Sequence, residues 1–339
     1  MGLIKPKHLS IGDTIASVSI SHGWAGDDEI VWKYKLGKKR LEDVFGLHVQ
    51  PAPNSMRGSN YLSKNPKARA EDIMWAFENK SINAIIANIG GNDSVSVLPF
   101  ISSEVIKNNP KILIGYSDIM NIHLLCYKSG LSTFYGHNLL STIAETHRLH
   151  SYSEKWFRKA LFETAAIGDI EPSRDWTYKE EDYFDKDCIL DYYPNSGYEL
   201  VQGEGIVQGN LIGGHTGVSE FQNMLSDDDF QDAILFLEDI PEFIDPDGMS
   251  RFLRSLGENG FLQRLNGIII GKLKNSGNFS EHKRVIKGIL ENEYEIAALP
   301  VLYGLNFGHT SPMFIIPYGA RAEINCESKS FSILESGVV

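Results

Sequence analysis

The fold class is decided by one stretch, Ile82-Asn83-Ala84-Ile85-Ile86-Ala87-Asn88-Ile89-Gly90-Gly91. Its apolar residues are nearly continuous instead of alternating, which is typical of a strand buried on both faces of a sheet. Two further apolar strand patterns stand at Thr14–Ile20 and Lys111–Gly115, and helical patterns at Asp28–Phe45 and Asn65–Asn79 lie between the strands. Because strands alternate with helices, we expect an α/β domain with a parallel sheet.

The rest of the chain divides into a polar segment and a second strand-rich region. Residues 166–203 contain Pro172, Pro194 and many acidic and aromatic residues, so we interpret them as a linker with an exposed loop whose acidic part, Lys179–Asp187, is solvated. Helical patterns then stand at Asp247–Leu256 and Glu281–Asn292. Strand patterns follow the linker at Gly205–Leu211, Ala233–Glu238, Gly267–Gly271, Pro300–Asn306, Met313–Pro317, Arg321–Asn325 and Ser330–Leu334.

These patterns predict two domains and a connection. We expect an N-terminal α/β domain over residues 1–165, the linker over residues 166–203, and a C-terminal β-rich domain over residues 204–339, built either on a mixed sheet or in a barrel-like form. A chain of 339 residues is long enough for two hydrophobic cores.

Composition narrows the class of partner and the compartment. The chain has 32 basic and 44 acidic side chains and a formal charge of −12, which argues against a surface for nucleic-acid polymers. No apolar run approaches the roughly 18–20 residues that span a bilayer. Cys126, Cys188 and Cys326 are scattered, which favours a reducing, cytoplasmic setting and predicts that each packs as a small apolar residue. We also expect no secretory signal.

Several familiar motifs are absent from the sequence. The segment after the first strand, His22-Gly23-Trp24-Ala25-Gly26, is no dinucleotide fingerprint. The segment Gly267-Ile-Ile-Ile-Gly271-Lys272 lacks the spacing and the hydroxyl residue of a phosphate loop, so we interpret it as a buried strand. His147 and His150 have no surrounding ligand set. We therefore expect neither a cofactor nor a metal.

Three strand ends carry polar, reactive residues. Ser117 follows one predicted strand, Glu238 ends another, and His309 follows a third. A serine hydroxyl becomes a good nucleophile when an imidazole takes its proton and a carboxylate orients that imidazole. Each residue also has a plain structural explanation: Ser117 as a helix cap, Glu238 as a solvated strand end, and His309 as part of a turn.

A glycine pair adds a fourth element. Gly90-Gly91, followed by Asn92, stands at the end of a buried strand, where backbone N–H groups can approach a substrate closely and stabilise an oxyanion. The alternative interpretation of the pair is a tight turn.

Together these segments resemble the LD-carboxypeptidase family of serine peptidases. The resemblance rests on Ile89-Gly90-Gly91-Asn92-Asp93, Gly115-Tyr116-Ser117-Asp118, Leu237-Glu238-Asp239 and Gly308-His309-Thr310 with Pro312, in order along essentially the whole chain. The Gly-Gly-Asn-Asp form and the long aromatic linker are most similar to the microcin C immunity (MccF-like) branch.

The resemblance implies a fold and a set of roles. The first domain would be flavodoxin- or amidotransferase-like, and the site would lie between the domains, commonly in a homodimer. Ser117 would be the nucleophile, His309 the general base and Glu238 its orienting partner. The backbone N–H groups of Gly91 and Asp118 would form the oxyanion hole.

The sequence also departs from related patterns. His215 follows Gly213-Gly214 where relatives often carry asparagine, which puts a substrate contact there in doubt. The segment Gly115-Tyr116-Ser117-Asp118-Ile119 lacks the second glycine of a Gly-x-Ser-x-Gly elbow, which argues against an ordinary α/β-hydrolase esterase.

The expected reaction is amide hydrolysis near the C-terminus of a small peptide conjugate through an acyl-enzyme. Two substrate classes compete: an aminoacyl or peptidyl nucleotide of the microcin type, and a muropeptide of cell-wall recycling. Gly90, Asn92, Trp176 and His215 are candidate substrate contacts, with Trp176 either stacking on a nucleobase or packing the linker onto the body. Asp239 and Glu242 would suit a substrate amine, or face water.

Two other classes of protein compete with this one. The first is a non-catalytic two-domain protein that binds a small ligand, in which Ser117, Glu238 and His309 need not meet. The second, a glutamine-amidotransferase-like enzyme, is disfavoured because Ser117 stands where a cysteine would be needed.

Overall fold

The structure is a computed structural model that describes residues 2–218, 220–241, 247–274 and 278–339. Its strands are β1 (Thr14–Val18), β2 (His48–Pro51), β3 (Ala84–Ala87), β4 (Ile112–Gly115), β5 (Phe134–Tyr135), β6 (Gly168–Asp169), β7 (Asp175–Trp176), β8 (Tyr193–Pro194), β9 (Glu199–Gln202), β10 (Ile206–His215), β11 (Ala233–Glu238), β12 (Gly267–Gly271), β13 (Val301–Leu305), β14 (Ile316–Pro317), β15 (Arg321–Asn325) and β16 (Ser330–Ile333).

The α-helices are α1 (Val31–Phe45), α2 (Ser59–Leu62), α3 (Pro66–Glu78), α4 (Ser103–Asn108), α5 (Met120–Lys128), α6 (Ser151–Leu161), α7 (Glu220–Met224), α8 (Asp227–Phe230), α9 (Gly248–Glu258) and α10 (Phe279–Gly288). Short 3₁₀ helices lie at Trp24–Gly26, Ser94–Phe100, Ser117–Ile119 and Leu262–Arg264, and π-helical turns lie at Leu139–Ile143 and Ile289–Glu293.

The first sheet has the strand order β14-β5-β4-β3-β1-β2, and β1 to β5 pair in parallel. Every residue of β3 and β4 is buried, as the continuous apolar pattern predicts. Ile85 packs in one core with α3 and α5, whereas Ile86 packs in a second core with α1 and α6. Successive side chains point to opposite faces of a strand, so helices cover both faces of this sheet.

The second sheet has the strand order β6-β16-β15-β10-β11-β12-β13-β9. Its central strands, β10 to β13, are parallel, and the strands at both sides pair antiparallel. The α/β class and the strand-rich second half are therefore confirmed. The barrel-like form is wrong, because in the described part of the chain this sheet is open, with β6 and β9 at its two edges.

The linker and the C-terminal region each contribute strands to a large sheet. Strands β6 and β9 come from residues 166–203 and form the edges of the second sheet. Strand β14 belongs to the C-terminal region but pairs with β5 in the first sheet. The division at residues 1–165, 166–203 and 204–339 remains a proposal. The linker therefore completes the second sheet, and the C-terminal region completes the first.

The acidic stretch of the linker is less solvated than its composition suggests. Glu181 is buried and pairs with the fully buried ammonium of Lys33, which also donates to the carbonyl of Ala144 at 3.1 Å. Burial lowers the pKa of Lys33, and Glu181 opposes that shift. The expectation of a solvated surface is wrong at Glu181, because the buried ammonium of Lys33 requires a partner. The expectation is right at Asp182 and Asp185, which are exposed.

The cysteines are free: Cys126 and Cys326 are buried, as expected of small apolar residues, and Cys188 is partly exposed. Among the described residues, no helix is long and apolar enough to cross a membrane.

Candidate active site

Ser117 stands on a strained turn directly after β4. Its φ of 67° lies in the left-handed region, which is unusual for a residue other than glycine. Gly115 makes room for the turn, because a Cβ there would lie 2.9 Å from the Cβ of Ala87. The turn is followed at once by α5. This strand–turn–helix arrangement presents the Ser117 hydroxyl at the carboxyl end of the sheet.

Ser117, His309 and Glu238 meet in one hydrogen-bonded row. The Ser117 Oγ lies 2.9 Å from His309 Nε2, and His309 Nδ1 lies 2.8 Å from Glu238 Oε2. Glu238 is the last residue of β11, and His309 lies in the loop after β13, so the row joins the carboxyl ends of both sheets. An ionised carboxylate only accepts, so Nδ1–H donates to Glu238 and Nε2 is free to accept from the serine.

Gly308 permits the close approach of the histidine loop to Glu238. Its φ is 92°, and a Cβ at this position would lie 2.1 Å from Glu238 Oε2. Any larger residue would therefore displace the carboxylate or the loop. The glycine before His309 has a steric function that the sequence pattern alone does not show.

Glu238 remains ionised although it is buried. Burial by itself would raise its pKa, but the charge and hydrogen bond of His309, a smaller effect of the neighbouring His215 and a hydrogen bond from Tyr135 lower the pKa to about 2. The Tyr135 hydroxyl donates to Glu238 Oε1. A charged carboxylate is what an orienting partner of the imidazole must be.

The glycine pair lies against the serine turn. A Cβ on Gly90 would lie 2.9 Å from Ser117 Cβ, and a Cβ on Gly91, whose φ is 150°, would lie 2.3 Å from Ser21 Oγ. Only glycines let this loop approach the nucleophile so closely. The backbone N–H groups of Gly91 and Asp118 accordingly belong to two segments that border the same hydroxyl.

The carboxylate of Asp118 ties these two segments together. Its Oδ2 accepts hydrogen bonds from the backbone N–H groups of Asp93 at 2.9 Å and Ser94 at 2.7 Å, and from Ser21 Oγ at 2.6 Å. The backbone of Asp118 thus forms part of the serine turn, and its side chain holds the glycine loop in place. No local sequence pattern predicts this second contact.

A cavity of about 620 Å³ opens beside the row. Gly90, Asn92 and His215, three of the candidate substrate contacts, line it. His215 lies edge-on to His309 with ring centroids 5.4 Å apart, and its Nδ1 accepts from the Gly217 N–H at 2.9 Å. Its second ring nitrogen therefore carries the proton in the neutral form, and burial, which lowers the pKa of His215, favours that form.

Two predicted substrate contacts lie elsewhere. Trp176 is 7% exposed and packs against Phe279, with the Lys272 ammonium 4.8 Å from its ring, so it fixes the linker to the body instead of facing the cavity. Asp239 is also buried, and its carboxylate accepts from Thr216 and His282. Glu242 lies outside the described residues.

Three residues at the site were not predicted. Tyr135 contacts Glu238, and Trp24 and Tyr183 form an edge-to-face pair, with centroids 5.5 Å apart, in the wall of the cavity. In the sequence, Trp24 belongs to a segment without a dinucleotide fingerprint, and Tyr183 belongs to a linker with many aromatic residues. Their positions depend on contacts between distant segments, which no local pattern records.

Comparisons with known proteins identify the family of this chain. Models of the LD-carboxypeptidase N-terminal and C-terminal domains match residues 15–136 and 208–324. The Escherichia coli microcin C7 self-immunity protein MccF is 30% identical over 81% of this chain and 80% of its own length. A probable murein peptide carboxypeptidase of Bacillus subtilis is 28% identical over 98% of this chain and 95% of its own.

A solved structure shows the same fold. MccF in complex with aspartyl sulfamoyl adenosine superposes with a TM-score of 0.87 at 27% identity, covering 99% of this chain and all of the other. The two domain models together match well over half of the residues. The chain belongs to the LD-carboxypeptidase family, and within it is MccF-like.

Proposed function

We propose that this protein is a serine-type carboxypeptidase that hydrolyses an amide bond near the C-terminus of a small peptide conjugate. The observation that carries the proposal is the row of contacts from Ser117 Oγ to His309 Nε2, 2.9 Å, and from His309 Nδ1 to Glu238 Oε2, 2.8 Å. Both distances lie within the reach expected of an active triad. A non-catalytic binder does not require these three side chains to meet.

The reaction would run in two halves. His309 takes the proton of Ser117 while the hydroxyl oxygen attacks the carbonyl carbon, and the N–H groups of Gly91 and Asp118 hold the oxygen that becomes negative. The protonated imidazole then gives its proton to the leaving nitrogen, which forms the acyl-enzyme. Water repeats the sequence, with His309 as base, and releases the acid.

Substitution of the nucleophile tests the assignment most directly. Ser117→Ala should lower kcat on the order of 10⁶-fold, as removal of a triad serine does in a comparable enzyme. Hydrolysis is measured by mass spectrometry of the products. Near-normal turnover in this variant would overturn the proposal.

The proposed substrate class is an aminoacyl or peptidyl nucleotide. The MccF relative binds aspartyl sulfamoyl adenosine, and the cavity here has an aromatic wall of Trp24 and Tyr183 that suits a planar base. Among the described residues that line this cavity there is no lysine or arginine. A muropeptide is the alternative that the Bacillus subtilis relative suggests; since both substrate classes carry an anionic group, the aromatic pair and not the missing cation favours the nucleotide.

A panel of both substrate classes separates the two candidates. Trp24→Leu should lower kcat/KM for an aminoacyl sulfamoyl adenosine by about 5- to 150-fold, the equivalent of about 1–3 kcal/mol of stacking, and change muropeptide hydrolysis little. Trp75→Leu, in a partly buried tryptophan of α3 outside the cavity, is the matched control. Preferential hydrolysis of muropeptides by the unmodified protein would favour the second class.

The homodimer and the cytoplasmic location remain proposals that come from the family resemblance and from the three free cysteines. Light scattering at micromolar concentration tests the first, since a monomeric mass would contradict it. Fractionation of cells that produce the protein tests the second.

A further inference from the structure

We propose that Tyr135 is a positioning residue that joins the serine turn to the orienting carboxylate, an inference that rests on the proposed function. Its hydroxyl group touches both partners: the backbone N–H of Ser117 donates to Tyr135 Oη at 3.1 Å, and the Tyr135 O–H donates to Glu238 Oε1. One atom of β5 therefore connects the nucleophile of the first sheet with the carboxylate of the second.

The directions of these hydrogen bonds are fixed by chemistry. A backbone N–H can only donate, so the tyrosine oxygen must accept from Ser117, and its single proton is left for the carboxylate. Burial, together with the nearby charge of Glu238, raises the pKa of Tyr135 well above its ordinary value, so the proton stays on the hydroxyl. No rotation of the hydroxyl satisfies both partners in another way.

The position of the hydroxyl is set by packing around the ring. Tyr135 has no exposed surface, and its ring is surrounded by those of Phe236, His123 and Tyr318, with centroids 5.4, 5.9 and 6.4 Å away. A ring held on several sides leaves the oxygen little freedom to move. This rigidity is what a group that positions a reactive pair needs.

Both contacts bear on the chemistry at the site. Tyr135 occupies Glu238 Oε1, which leaves Oε2 for His309 and fixes the plane of the carboxylate. It also occupies the N–H of Ser117 in the left-handed turn, so this N–H is not a donor for the oxyanion. The oxyanion contacts then fall to the neighbouring N–H of Asp118 and to that of Gly91.

The test removes the hydroxyl group from each of two tyrosines that lie in the same core. In Tyr135→Phe we expect kcat to fall on the order of 10- to 100-fold, with KM changed less than about twofold. The loss of a group that hydrogen-bonds a metal ligand has an effect of this size at metal sites. Tyr318→Phe is the control, because Tyr318 is equally buried and donates to the Gly213 carbonyl at 2.7 Å without touching the row. Its kcat should stay near the unmodified value.

A fluorophosphonate probe gives a second readout that needs no natural substrate. The Ser117 oxygen attacks phosphorus, its proton passes to His309, and fluoride leaves. The labelling rate should fall in Tyr135→Phe by about the same factor as kcat and stay constant in Tyr318→Phe. Thermal unfolding of both variants shows whether a loss of kcat reflects a loss of stability. Equal losses of kcat in the two variants, or a normal kcat in Tyr135→Phe, would overturn the proposal.

A double variant separates positioning from general damage. If Tyr135 acts through Glu238, the combination of Tyr135→Phe with Glu238→Gln should lower kcat by less than the product of the two single effects. Strictly multiplicative effects would contradict the proposal. An active Ser117→Ala variant would instead overturn the proposed function, so the two failures are distinguishable.

Discussion

Two consecutive carboxylates at the end of β11 each pair with a histidine, and the comparison of these pairs shows what makes one of them a candidate for catalysis. Glu238 accepts from His309 at 2.8 Å, and Asp239 accepts from His282 at 3.2 Å. Each carboxylate also accepts from a hydroxyl, that of Tyr135 or that of Thr216.

The pairs differ in what the second nitrogen of each histidine contacts. His309 Nε2 meets the Ser117 hydroxyl at the wall of the cavity, whereas His282 Nδ1 lies 3.1 Å from the Tyr303 hydroxyl in the interior. A carboxylate and an imidazole therefore do not make a reactive site by themselves. The site also requires a nucleophile and a space for the substrate.

The largest expected contrast comes from removing each histidine. His309→Ala should lower kcat on the order of 10⁶-fold, because it removes the proposed acceptor of the serine proton. His282→Ala should leave kcat within about tenfold and lower the free energy of unfolding by about 1–3 kcal/mol, because it leaves the buried Asp239 carboxylate without the hydrogen-bond donor at His282 Nε2. Steady-state kinetics and urea denaturation measure the two effects. A comparable loss of kcat in both variants would refute the distinction between the pairs.

Substitution of the two carboxylates should show the same contrast in kcat as substitution of the two histidines. Glu238→Gln should lower kcat on the order of 10⁴-fold, because an amide no longer holds the imidazole in the required tautomer. Asp239→Asn keeps the shape and touches no part of the cavity, so kcat should change by less than about tenfold. Full activity of Glu238→Gln would show that the pair has no orienting role.

Acid should weaken the fold partly through Glu238. Its pKa in the folded protein is about 2, below the ordinary value of 4.5, so the unfolded chain binds more protons between these pH values. The resulting stabilisation, at most about 3 kcal/mol, is complete above about pH 4.5 and is lost as the pH falls through about 2. Denaturation across this range should show a flatter pH dependence in Glu238→Gln. Parallel curves for the two proteins would contradict the assignment.

The smallest expected effect concerns the outer hydroxyl of the second pair. Tyr303→Phe removes a hydrogen bond to His282 and should lower the free energy of unfolding by about 1 kcal/mol, with kcat unchanged. The equivalent change next to the first pair, Tyr135→Phe, should lower kcat. If Tyr303→Phe reduced turnover as strongly, the second pair would be coupled to the site.

The fold was predictable where local patterns are strong. Ala233–Glu238, Gly267–Gly271 and Arg321–Asn325 were predicted as strands with the bounds that the structure has. These segments are apolar or alternate regularly, and turn residues bound them. The sequence did not decide between a mixed sheet and a barrel for the second domain, because whether edge strands such as β6 and β9 pair depends on how the whole sheet twists.

The site was predictable only as a set of residues. Ser117, Glu238 and His309 each stand after an apolar strand, which is where reactive side chains gather in α/β folds. Trp176 was a natural candidate for stacking, yet it packs against Phe279 inside the protein. A tryptophan in a polar segment can face ligand or core, and the choice depends on contacts far away in the chain.

The sequence by itself determined the class of fold and the family and named three candidate residues for the site, because continuous apolar strands and the glycines beside them are local features. Only the tertiary structure decided that Asp239, the next residue, pairs with His282 in the interior, and that Tyr135 joins the two sheets. Neighbouring side chains on a strand point in opposite directions, so their roles depend on which segments, 70 or more residues away for Glu238, pack on each side.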